Sequence, residues 1–217
     1  MNELLRNVKV LIWDFDGTLY RQQQGLWDQI RESECRVIMD RLGWTHEKAI
    51  REFVKVHNVI TPSGTQAVAL ITKISMKEAA IETAKYVDYT NYLQPDPKLT
   101  IMFTKLQSFR HFMLVNGTQA SVASGLSLLH VDPMIFEEIV TAEVVGETKP
   151  SQKGFSHILS KTLLPPQSHM MVGDRLDVDL VPAKAMGFRT ALVWETESRD
   201  VADITLTTVY EIADVVA

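Results

Sequence analysis

The chain reads as an α/β protein: a Rossmann-like parallel sheet with helices on both faces, carrying an inserted helical domain. Three observations predict this. Short apolar runs alternate with longer amphipathic stretches through most of the 217 residues, as expected where crossover helices join parallel strands. The first run, Lys9 to Trp13, is β-branched and aromatic and closes in Asp14-Phe15-Asp16-Gly17, the pattern of a buried strand that breaks at a turn. Residues 20–94 lose the alternation and keep helical spacing alone, so they form one insert, while residues 1–19 and 95–217 form the core.

The order of elements follows. Leu26, Ile30, Val37, Ile38 and Leu42 recur at helical intervals, and Gly43 suits the helix stop. Thr45 and Glu47 open a second helix that runs to about His57. Thr61 to Thr65 reads as a loop, and Ser75 with Glu78 is a capping box for a helix through Val87. Asp96-Pro97 caps a helix that reaches about Phe109, because Asp suits the N-cap and Pro the first helical position. His111 to Val115 is the second strand, Gln119 to Leu129 a helix, and Ile139 to Ala142 the third strand. Lys149-Pro150 starts a helix to Thr162, His169 to Gly173 is a strand, a helix ends at Gly187, and Arg189 to Val193 is the last core strand. Thr208 and Glu211 cap a terminal helix.

Composition narrows the partners. With 46% hydrophobic and 23% charged residues the chain is an ordinary folded protein with room for one full core and a smaller insert. A net charge of -5 gives no reason to expect a nucleic-acid polymer. The single cysteine, Cys35, rules out an intramolecular disulfide, suits a reducing compartment, and reads as a small apolar helix residue. Met1 to Arg6 lacks the apolar core of a signal peptide and no run approaches a membrane span, so a cytoplasmic location and no membrane partner are expected. A monomer or weak homodimer is expected too.

Asp14 and Asp16 fall where open α/β sheets bind ligands, outside the carboxyl end of a strand. A strand followed by a helix cap with both acids merely solvated would read the same. The rest of the chain adds weight. Asp14-Phe15-Asp16-Gly17-Thr18-Leu19 resembles the first motif of the haloacid dehalogenase superfamily, whose members are mostly magnesium-dependent phosphatases. Asn116-Gly117 after the second strand resembles the second motif, Lys149-Pro150 the third, and Gly173-Asp174 with a following acid the fourth. Asp179 fits that following acid better than Asp177. The helical insert between the first and second motifs resembles a type-1 cap.

The resemblance implies a set of roles. Asp14 is the nucleophile, and Asp16 protonates the leaving alkoxide and then activates water. Lys149 neutralises crowded anions, and Asn116, Gly117 and Lys149 bind the phosphoryl group. Mg2+ sits on Asp14, Asp174 and the backbone carbonyl of Asp16, with Thr18 and Asp179 in support. The second motif usually carries Thr or Ser where this chain has Val115, which removes a donor worth roughly 1.5–3 kcal/mol to a charged oxygen. A slower or more selective enzyme is therefore expected. The acid at Asp16 disfavours dehalogenation, because halide leaves without a proton. The expected reaction is hydrolysis of a small phosphomonoester through an aspartyl phosphate, with a small phosphorylated metabolite as partner. A sugar-phosphate mutase and a catalytically silent regulator remain the alternatives. For substrate, the segments near Tyr20 and Tyr86 to Tyr89 resemble the pyrimidine 5′-nucleotidase branch, with phosphoglycolate and sugar phosphatases as rivals. Trp27, Trp44, Tyr89 and Tyr92 could stack a base or simply fill core, and no histidine is given a catalytic role.

Overall fold

The computed structural model describes residues 5–216. Most of the N-terminal stretch read above for an export signal, residues 1–4, lies outside the described residues. Six strands form one sheet in the order β3-β2-β1-β4-β5-β6, with ranges β1 Val10–Trp13, β2 Arg110–Leu114, β3 Glu138–Val140, β4 His169–Gly173, β5 Arg189–Val193 and β6 Ile204–Leu206. Every neighbouring pair is parallel. The Asp14 strand is central and lies between the strands that end in Leu114 and Gly173.

Period-two alternation divides the apolar side chains between the two faces. Leu11, Trp13, Met113, Met170 and Val172 face one cluster, and Val10, Ile12, Phe112, Leu114 and Met171 face the other. The first cluster is closed by α5 (Pro97–Lys105) through Leu99 and Phe103, by α6 (Gln119–Leu128) through Val122 and Leu126, and by α10 (Ile212–Val216). The second is closed by α8 (Lys153–Thr162) through Phe155 and Ile158 and by α9 (Val181–Ala185) through Ala183. A short α7 (Ala142–Val145) follows β3. Burial on both sides explains why the central strands are apolar throughout.

Between β1 and β2 come α1 (Gln24–Leu42), α2 (His46–Val59), α3 (Gly64–Thr72) and α4 (Met76–Ala84). They share their own apolar cluster, with Val37 and Ile38 from α1, Phe53 from α2, Val68 from α3 and Ala79 from α4. Cys35 is a buried member of it. The expected caps are present: Gly43 at φ 65, Thr45 to the Lys48 N–H, the Ser75–Glu78 box and Asp96 to the Lys98 N–H.

Several boundaries differ from the sequence reading. Helix α3 was not anticipated: its first turn overlaps the Thr61 to Thr65 loop signal, and its run of Ala, Val, Leu and Ile has no charged face. Helix α4 ends at Ala84, before Val87. The third strand stops at Val140 because Thr141 turns to cap α7. Strand β6 is an edge strand of three residues, too short for periodicity to show. Helix α8 starts at Lys153, so Lys149 sits in the preceding turn rather than on a helix. Among the described residues no helix is long and apolar enough to cross a membrane.

Candidate active site

The carboxyl ends of β1, β2 and β4 and the turn before α8 bring the four motifs to one place. Asp14 follows β1 directly, and its backbone N–H donates to Val172 O at 3.0 Å, so the loops after β1 and β4 leave the sheet side by side. Lys149, 1% exposed in its side chain, donates from Nζ to Asp14 Oδ1 at 2.6 Å and to Asp179 Oδ1 at 2.7 Å. Asp179 also accepts from the Arg175 N–H at 3.1 Å. Asp177, the competing candidate for the second acid, is exposed. Thr18 Oγ1 lies 3.2 Å from Asp14 Oδ2 and 3.3 Å from Asp174 Oδ1, bridging the first and fourth motifs. Trp194 Nε1 holds the Thr18 carbonyl at 2.9 Å.

Gly17 permits this meeting. Its φ is +85, and a Cβ there would lie 2.4 Å from Asp174 Oδ2. A side chain at this position would therefore separate the two acid loops.

Asn116 serves Lys149. Its Oδ1 accepts from the Lys149 N–H at 2.7 Å, and its Nδ2 donates to Lys149 O at 2.9 Å, so the amide grips the lysine backbone on both sides. The same Nδ2 reaches Ser63 Oγ at 3.2 Å, tying the insert to the second motif. Gly117 lies beside it in the cavity wall. Val115 packs into the sheet's apolar cluster. Thr118 does not replace its missing hydroxyl, because Thr118 caps α6 through the Ser121 N–H and bonds Ser121 Oγ at 2.6 Å.

The Asp16 carboxyl is held by two tyrosine hydroxyls. Its Oδ1 accepts from Tyr20 Oη and, at 3.1 Å, from Tyr89 Oη. Burial pushes its carboxyl up to about 6; the two tyrosine hydroxyls oppose that rise and the Asp14 charge adds to it. Tyr89, read from sequence as a stacking or core aromatic, packs against the sheet cluster and also holds this acid. Tyr20 was missed, although its place four residues after Asp16 puts it within reach. Trp27 lies 5.8 Å from both the Arg31 and Arg175 guanidinium carbons, Trp44 packs on the insert cluster with Lys48 Nζ 4.0 Å from its ring centroid, and Tyr92 borders the sheet cluster. His111 and His169 are buried, bonded to Trp13 and Thr162 respectively.

The charges are unequal. Carboxylate oxygens of Asp14, Asp174 and Asp179 lie within 4.8 Å of one another, with one ammonium among them. Burial pushes Asp174 well above the usual carboxylate range, and the Asp14 and Asp179 charges add to it. Burial also raises Asp179, against the pull of Lys149. Burial alone would lower Lys149, but Asp14 and Asp179 outweigh it and the ammonium is held charged. The surplus negative charge and the oxygen-only donor set fit a hard divalent cation.

A family model described as haloacid dehalogenase-like hydrolase matches residues 8–187. The chain belongs to that family. Among curated relatives, it is 25% identical to the glyceraldehyde 3-phosphate phosphatase of Methanocaldococcus jannaschii, over 96% of this chain and 97% of that protein. Among solved structures, CbbY from Rhodobacter sphaeroides in complex with phosphate superposes with a TM-score of 0.66 at 19% identity, covering 94% of this chain and 96% of that one. A HAD phosphatase from Thermococcus onnurineus gives 0.63 at 18% identity over 97% and 98%. Helices α1 to α4 of this hydrolase lie between the first and second motifs.

Proposed function

We propose that this hydrolase is a metal-dependent phosphatase of short sugar phosphates, with Asp14 as nucleophile, Asp16 as acid and base, and α1 to α4 as the lid. The observation that carries this reading is the Lys149 ammonium shared by Asp14 and Asp179 beside Asp174, an arrangement suited to a dianionic group meeting a carboxylate. The name of the archaeal relative supports the substrate class.

Asp14, Asp174 and the Asp16 main-chain carbonyl are the groups that would hold Mg2+. When bound, the ion supplies positive charge for the phosphoryl oxygens and lowers the repulsion met by an anionic nucleophile. Asp14 Oδ attacks phosphorus and the ester bond to the leaving oxygen breaks, giving an aspartyl phosphate and an alkoxide. Asp16, its carboxyl raised by burial, donates its proton to that alkoxide and then takes one from the water that hydrolyses the acyl phosphate. Tyr20 and Tyr89 hold the Asp16 carboxyl in place between the two steps. Lys149 orients Asp14, and Asn116 holds Lys149.

A cavity of about 110 Å³ opens onto Asp14 and Asp16 beneath the insert. Drug-sized ligands use about 300–1,000 Å³, so this volume favours a three- or four-carbon ester over a nucleoside monophosphate. The test is phosphate release with and without Mg2+ over glyceraldehyde 3-phosphate, glycerol phosphate, phosphoglycolate and nucleoside monophosphates. Asp14→Asn is expected to lower turnover about a thousandfold or more with an unchanged circular dichroism spectrum. Retained turnover in that variant removes Asp14 as nucleophile.

A further inference from the structure

The roof of the same cavity carries polar groups that the mechanism above does not use. Arg31 and Glu34 come from α1 and Thr83 from α4, and all three line the cavity that contains Asp14 and Asp16. Thr83 is 9% exposed and its Oγ1 is buried without a hydrogen-bond partner among the described residues. Arg31 Nη1 is also buried and unbonded: it lies 3.1 Å from Glu34 Oε2 as an ion pair, without hydrogen-bond alignment. Buried donors of this kind are nearly always bonded in folded proteins. Both side chains line one cavity, and Thr83 Oγ1, with no partner among the described residues, marks a place where a ligand oxygen belongs.

Glu34 supplies the complementary acceptor. It is 6% exposed and accepts no hydrogen bond among the described residues. Room for it is made by Gly64 at the start of α3, where a Cβ would lie 1.7 Å from Glu34 Oε1. The charges that act on it are Arg31 and Arg175, not the Asp14–Lys149 group. Arg175 is already committed, donating from Nη2 to the Pro62 carbonyl of the insert. Arg31 is held by its stack on Phe53, 4.2 Å from the ring centroid.

We propose that Arg31, Glu34 and Thr83 form the subsite that recognises the carbon chain of the substrate, accepting a hydroxylated chain and rejecting one that ends in a carboxylate. This rests on the phosphatase reading above. A hydroxyl uses both partners, since its hydrogen donates to Glu34 and its oxygen accepts from Arg31 or Thr83. A carboxylate brings a second anion against Glu34 and offers it no donor, a mismatch of the kind that sites built on hydrogen bonds discriminate strongly.

Two matched pairs of esters test this in mildly alkaline buffer with Mg2+. Glycerol phosphate against propyl phosphate reads the hydroxyl, and glyceraldehyde 3-phosphate against phosphoglycerate reads the carboxylate. The first member of each pair is expected to have a kcat/KM about tenfold higher or more. Glu34→Gln is expected to reduce the second ratio about tenfold, and Thr83→Val to reduce the first several-fold through KM. Flat ratios in the wild type, or variants that move every substrate by one factor, overturn the proposal. The wild-type ratios and Thr83→Val decide the matter if Glu34→Gln does not fold. p-Nitrophenyl phosphate separates the two levels of argument: its hydrolysis alongside flat ratios defeats the subsite alone. No release from any ester defeats the phosphatase reading and the subsite with it.

Discussion

Single residues carry two further tests. Val115 leaves the second motif without a hydroxyl, and Thr118, bound as the cap of α6, does not supply one. Val115→Thr is therefore expected to raise kcat/KM about tenfold; no change would show that another donor already fills the place. Glu34 gives the pH test. Burial pushes its carboxyl from 4.5 to about 7, against the pull of Arg31 and Arg175. Between those two values the folded state binds the proton and the unfolded state does not, so this group's contribution to stability falls as pH rises, by about 3 kcal/mol in all. Glu34→Gln lacks that loss. Denaturation of both proteins should show the variant gaining on the wild type from mildly acidic to mildly alkaline pH, and a constant difference would mean that Glu34 is not so displaced. The sequence made the motif residues visible because the main chain alone delivers Asp14, Asn116 and Asp174 to strand ends. It did not show Arg31, Glu34 or Thr83, because a charged residue on a helix gives no local sign of which face the fold will bury.

At the level of elements, the same contrast holds. Caps and strand ends were legible, since Thr45, Ser75 and Asp96 act on N–H groups two or three residues away. Helix α3 and strand β6 were not, because one has no charged face and the other is three residues long. The packing of α6 against the first motif is a property no local pattern encodes. A Cβ on Gly125 would lie 2.3 Å from Phe15 Cζ, in a ring that is 0% exposed. Gly125→Ala gains up to about 1 kcal/mol of helix propensity, but overpacking costs about 1–3 kcal/mol. The expected net result is a loss of up to about 2 kcal/mol in chemical denaturation, with reduced turnover because Phe15 joins Asp14 to Asp16. A stabilised Gly125→Ala protein would show that α6 can move away from the strand.

The whole molecule is organised around a deficit of positive charge. Asp14, Asp174 and Asp179 surround a single ammonium, and that repulsion is present in the folded state alone. A divalent ion binding there stabilises the fold by mass action. Thermal melting with Mg2+ at about a hundredfold excess over its Kd should be about 5–10 °C higher than with a chelator. Asp174→Asn should abolish the difference, and an equal rise in that variant would place the ion elsewhere. The α/β class was readable because alternating apolar runs impose a parallel sheet. The particular contacts that tie the insert to the site were not, since pairs such as Ser63 with Asn116 and Arg175 with Pro62 are more than fifty residues apart.

The long insertion also dictates a history for each newly made chain. Val10 pairs with Arg110 on one side and His169 on the other, so β1 leaves the ribosome with no strand to join until about a hundred more residues have followed. Helices α1 to α4, which have their own apolar cluster, emerge during that wait and can collapse locally, where loop closure is cheap. Asp174 and Asp179 are synthesised last of the residues that meet at the site. Enzymatic competence therefore arrives late in translation, and a chain halted before β4 holds Asp14 without Asp174.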